Sequence, residues 1–164
     1  MATKKSQGKE QLLSIEDNND SLIEDEATAS HIEVIETIIS SLDQNDTAMV
    51  SRNESGGRIW KFQYGTVEVF VQLTGEEDDD TLAVWASVLK LPAKDESRLM
   101  RKLLEMNWSD TYEASFAVYN DQVVVLTHRT VADLYPGEIS RAITLVASIA
   151  DDNDEALQEE FGQS

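Results

Sequence analysis

The side chains best able to do chemistry in this chain are carboxylates, and they come in two runs. Glu76-Glu77-Asp78-Asp79-Asp80 stands between two strand-like segments, and Asp151-Asp152-Asn153-Asp154 follows an apolar helical stripe. Clustered carboxylate oxygens on a turn are what a hard cation such as calcium or magnesium requires. Neither run has the spacing of a calcium-binding loop. The first lacks the glycine and the spaced acids, and Ala156 stands where a loop beginning at Asp151 needs glycine. Both are read as solvated polar segments. Residues 76–80 remain the site of an alternative in which the protein is a small-molecule or divalent-cation sensor or enzyme. The two histidines, His31 and His128, lie far apart in the chain with no carboxylate at ligand spacing, and there is no cysteine. Thiolate catalysis, disulfides and cysteine-based metal sites are excluded by that absence. No nucleophile elbow, phosphate-binding glycine loop, dinucleotide fingerprint or zinc helix is found, since Gly56-Gly57 precedes a strand and not a helix. Accordingly no catalytic residue, no metal ligand and no cofactor is assigned, and the expectation is a protein that is not an enzyme.

Charge narrows the partners further. The 164 residues carry a net charge of −19, spread as −4 over residues 1–27, −9 over 28–150 and −6 over 151–164. Such a field repels phosphate backbones and anionic headgroups, and no basic patch offsets it, so neither nucleic acid nor membrane is expected as a partner. The densest basic cluster, Arg98, Arg101 and Lys102, reads as a solvated helix face. No run reaches the roughly 18 apolar residues of a membrane span, and Met1-Ala2-Thr3-Lys4-Lys5 leads into polar residues. A cytoplasmic location is expected.

The elements that must position any site can be read from periodicity. Residues 1–27 are polar, acidic and poor in aromatics, and are expected to form a disordered tail containing two small apolar islands, Leu12-Leu13-Ser14-Ile15 and Leu22-Ile23. A single domain is expected over 28–150. It opens with a helix at about 29–43, started by Ser30 and Glu33 at capping-box spacing and carrying Ile32, Val34, Ile35, Ile38, Ile39 and Leu42. Ala48-Met49-Val50 is a candidate edge strand. Between Arg58 and Leu91 three alternating segments form an antiparallel meander, with Trp60, Phe62, Tyr64, Val67, Val69, Val71, Leu73, Leu82, Val84, Ala86 and Val88 on one face. That face must be covered by helices. A second helix is predicted at about Asp95–Met106, a hairpin over Tyr112–Tyr119 and Gln122–Thr130 around Asn120-Asp121, and a last helix from Pro136 with a stripe ending at Ala150. Residues 151–164 are either an acidic extension of that helix or a tail. The fold class is α+β, a three-strand meander plus a hairpin with helices on one face, in the order α-β-β-β-α-β-β-α.

Exposed apolar residues are the stronger functional signal. The second sheet face carries Phe70, Trp85 and Leu89, more apolar surface than a solvated face needs, and these are candidate contacts for a protein or peptide partner. The second helix sets Leu99, Met100, Leu103, Leu104 and Met106 in a wide stripe on three turns, a candidate homodimer surface.

The order of these elements resembles the YbjN family and, more distantly, the class I type III secretion chaperones. The resemblance rests on the stretch Arg58–Pro92 and on Leu103-Leu104-Glu105-Met106-Asn107 leading into the hairpin Ser115–Thr130. It spans about residues 28–150. It implies a secretion-chaperone-like fold in which the first and third helices cover the apolar sheet face, while the second helix and a nearby strand make a homodimer contact. Chaperones of that type are small, acidic, enzymatically inert dimers that hold a partner polypeptide in extended form. The function implied is a non-enzymatic dimeric protein-binding module, chaperone-like or a regulatory adaptor.

Overall fold

A computed structural model describes residues 29–163, so the expected tail at 1–27 lies outside the described residues. The fold below is that of Val34–Ser164 together with the first turn of the helix that leads into it. Helix α1 (His31–Leu42) begins where the Glu33 N–H donates to Ser30 Oγ at 3.2 Å, the contact expected of an N-cap serine. It stops at Asp43, whose carboxylate accepts from Thr47 N–H (2.7 Å), the Thr47 hydroxyl (2.8 Å) and Ala48 N–H (2.8 Å). Burial pushes that carboxyl up, but the donors from Thr47 and Ala48 outweigh it and hold Asp43 below its usual range.

Six strands follow around two helices: β1 (Met49–Arg52), β2 (Arg58–Tyr64), β3 (Val67–Leu73), β4 (Thr81–Lys90), α2 (Glu96–Ser109), β5 (Ser115–Tyr119), β6 (Gln122–Thr130) and α3 (Pro136–Phe161). They form one antiparallel sheet in the order β1-β2-β3-β4-β6-β5. The meander and the hairpin are thus a single layer, joined where β4 pairs with β6, and the segment at Ala48–Val50 becomes a sixth strand at one edge. The β5–β6 turn is Asn120-Asp121 with φ of 49° and 55°, the left-handed pair that a two-residue hairpin demands.

The apolar face is covered as its composition requires. Ile139, Ala142, Ile143, Val146, Ala147 and Ala150 of α3 are buried, as are Ile35 and Ile39 of α1 and the inward residues Phe62, Val69, Val71, Val84 and Val125 of the strands. Helix α3 does not end at Ala150. It runs 26 residues to Phe161 because Leu157 and Phe161 continue the stripe and are themselves buried. The acids of this extension have partners: Asp151 Oδ1 accepts from Thr66 N–H at 2.9 Å, and Asp154 Oδ2 accepts from the Thr66 hydroxyl at 2.7 Å. These bonds fasten the β2–β3 turn onto the helix. Gly65, at φ +55°, has to be glycine there, since a Cβ would collide with the Asp151 carboxylate as well as strain the backbone.

Candidate functional site

The outward face of the sheet carries a row of aromatics. Phe70 of β3 and Trp85 of β4 are directly paired across the strands, so their side chains emerge on the same face, with ring centroids 5.3 Å apart and planes 9° from parallel. Tyr119, at the end of β5, meets Trp85 edge-on at 6.4 Å and 75°. Beside these rings the small residues Ala83 and Ala117 leave a groove of about 410 Å³ lined also by Val124 and Leu126, with Gln72 and His128 contributing polar groups. Phe70 and Trp85 are half-buried. Tyr119 is 56% exposed and has no counterpart among the residues the alternation singled out, because its place beside Trp85 depends on β6 lying next to β4.

Leu89 does not belong to this face. Strict alternation puts it beside Trp85 and Ser87, but β4 has a bulge: Ser87 pairs with Val124 and Leu89 with Val123, so one strand spends an extra residue. Past the bulge the side chains change faces, and Val88 and Leu89 are both buried in the helix-covered core.

Helix α2 divides the expected stripe in two. Leu99 and Leu103 are buried within the chain's own fold, Met100 and Met106 are half-buried, and Leu104 is 69% exposed. The missing member is Trp108, one turn beyond Leu104 and 93% exposed; with Ser97, Arg101 and Glu105 these two residues shape a shallow apolar depression on the outer face of the helix. The i, i+4 spacing of Leu104 and Trp108 was the signal for it in the sequence. The basic residues of α2 are used locally. Arg101 pairs with Glu105 at 3.0 Å, Lys102 with Glu160 at 2.8 Å, and Arg98 lies 4.5 Å above the Phe161 ring while also bonding Glu160. Hydrogen bonds from Lys102 and then Arg98 hold the Glu160 carboxyl below its ordinary range, and Arg141 does the same to Glu113 through two bonds of 3.0 Å.

The acidic loop at 76–80 is a folded turn. Asp80 accepts from the Thr74 hydroxyl at 2.9 Å and from Glu77 N–H at 3.0 Å, and its carbonyl receives Val131 N–H at 2.9 Å. Among the described residues no three His, Cys, Asp or Glu side chains gather in a way that would hold a metal ion. His128 lies exposed on β6 beside the aromatic groove, and His31 opens α1. No helix among the described residues is long and apolar enough to cross a membrane.

What this arrangement offers chemically is an apolar, aromatic recess on a sheet face, suited to receiving side chains of another molecule. The fold has a solved counterpart: one chain of the "Crystal Structure of the ExsC-ExsE Complex" superimposes with a TM-score of 0.53 over 76% of this chain and 90% of that one, at 16% identity. No curated protein matches the sequence. A family model does match, over residues 31–159, and it is described as "Putative bacterial sensory transduction regulator". With most of its length accounted for by that model, the chain belongs to the YbjN family.

Proposed function

We infer that this protein is a non-enzymatic, cytoplasmic, homodimeric protein-binding module, chaperone-like or adaptor-like, that receives a polypeptide partner on the outer sheet face. The observation that carries the reading is the Phe70–Trp85 stack, extended by Tyr119, on a face that the helices leave open. A face meant only for water has no need of three aromatic rings around a recess. The solved neighbour, a chain of the ExsC-ExsE complex, and the regulatory description of the family agree with a binding role. For self-association the surface is the outer side of α2, with Leu104 and Trp108 at its centre and Met100 and Met106 at its flanks. Leu99 and Leu103 support that surface from beneath.

The test has two arms. Light scattering at micromolar concentration reads the mass of the wild type, and a monomer would defeat the dimeric part of the reading. Affinity capture from the native cell with wild type and Trp85→Ala side by side reads the partner. A specific protein held by the wild type and lost from a folded Trp85→Ala variant supports the face; equal capture by both would move the binding surface elsewhere.

A further inference from the structure

The outer edge of β5 lies beside α2, and one side chain of that helix caps the strand's backbone. Ser115-Phe116-Ala117-Val118-Tyr119 contains no charge and no proline, and β-branched and aromatic residues dominate it. An uncharged edge strand of that kind is a template for another strand, which natural sheets blunt with charges, prolines or covering elements. Here the side-chain amide of Asn107, on α2, is applied to the backbone of Phe116: Asn107 Oδ1 accepts from Phe116 N–H at 2.7 Å, and Asn107 Nδ2 donates to Phe116 C=O at 3.3 Å. A primary amide offering one acceptor and one donor in this way reproduces the pairing that a neighbouring strand would make.

The register shows how complete the closure is. Because Phe116 turns its backbone groups away from β6, alternation along an antiparallel strand turns those of Ala114 and Val118 the same way. The Ala114 N–H is already bonded to Thr111 C=O at 2.9 Å. Val118 is then the one open rung of the strand, and it stands next to the two-residue turn where the strand ends. At the opposite margin β1 is protected differently: it carries Arg52, Asp46 lies just before it, and the Ala48 N–H is held by Asp43 at 2.8 Å. With no charge of its own, β5 depends on Asn107.

We propose that Asn107 is an edge-guarding residue, whose bidentate grip on Phe116 prevents β5 from pairing with β5 of a second copy and so keeps association of this chain off the sheet edge. The role does not rest on the outer-face reading above, since the edge needs guarding whatever the face binds.

The experiment compares wild type, Asn107→Ala and the double variant Asn107→Ala with Val118→Lys by sedimentation velocity and thioflavin fluorescence across a concentration series, with far-UV circular dichroism as the control for folding. Asn107→Ala is expected to form species larger than any in the wild type, and to half-associate at a concentration about tenfold or more below the highest at which the wild type shows none, in keeping with two freed backbone groups. The lysine, placed on the open rung, is expected to abolish the gain. A folded Asn107→Ala protein that sediments like the wild type would overturn the proposal. So would association that Val118→Lys leaves intact, which would assign it to the α2 surface. If Asn107→Ala does not fold, amide hydrogen exchange on the wild type decides: Phe116 is expected to be protected and Val118 to exchange rapidly, and equally rapid exchange at both sites would refute the guard.

Discussion

Phe70 and Trp85 stack on the face of the sheet opposite the one covered by helices, and they do so because the β3–β4 register places them opposite one another. An offset aromatic pair is worth about 0.5–1.5 kcal/mol beyond its area. Half-burial adds to that, so Trp85→Ala is expected to lower unfolding free energy by about 1–3 kcal/mol in urea titrations while the protein remains folded. Partner capture should fall far more than stability does. Loss of both together through global unfolding would make Trp85 a core residue.

Neighbouring leucines on α2 should behave in opposite ways. Leu103 is 4% exposed, and a glutamate there buries an unpaired charge, so Leu103→Glu is expected to cost about 4 kcal/mol or more and to abolish the cooperative melt. Leu104→Glu should change stability by only about 0.5 kcal/mol. Its effect is expected in light scattering, as a shift from dimer to monomer.

The hydroxyl of Thr66 is the donor to a carboxylate that is otherwise deeply buried, since Asp154 is 3% exposed and its Oδ1 has no hydrogen-bond partner. Thr66→Val therefore strands a buried acid and is expected to cost about 2–3 kcal/mol in chemical denaturation. Thr66→Ser, which keeps the hydroxyl, should lose much less.

Phe161 closes the end of α3, fully buried beneath the Arg98 guanidinium. Replacement by alanine removes a large ring from a packed site, and Phe161→Ala is expected to lower stability by about 3–5 kcal/mol. A chain stopped at residue 150 should lose still more, because Leu157 goes with it. Thermal melts of both variants measure this directly.

Acid should loosen the same end of the molecule. The Glu160 carboxyl is held below its ordinary value of 4.5 by Lys102 and Arg98. A depressed folded-state pKa means stability that is present above the ordinary value and is lost as pH falls through the lower folded one. Both partners are exposed, so the effect is small and shrinks in salt. Glu160→Gln is expected to flatten the loss of stability as pH falls below the ordinary value of 4.5, relative to the wild type. An unchanged acid limb would show that the triad contributes nothing there.

Local periodicity was enough for the α+β class, for the apolar sheet face, and for the Asn120-Asp121 hairpin, because alternation with period 2 and stripes with period 3.6 are written residue by residue. It also singled out Phe70 and Trp85, whose positions depend only on their own strands and the short connection between them. Other features needed the third dimension. A bulge shifts phase without leaving a mark in composition, so Leu89 moved into the core. A wide apolar stripe does not say which half faces the sheet, so Leu99 and Leu103 went inward while Leu104 and Trp108 stayed out. Periodicity left residues 151–164 open as a helix extension or a tail, and the choice fell to the extension once Thr66, 85 and 88 residues away in sequence, supplied donors to Asp151 and Asp154. Covalent order fixes what each segment can become on its own; burial and hydrogen-bond partners are properties of segments brought together, and only the packed chain chooses them.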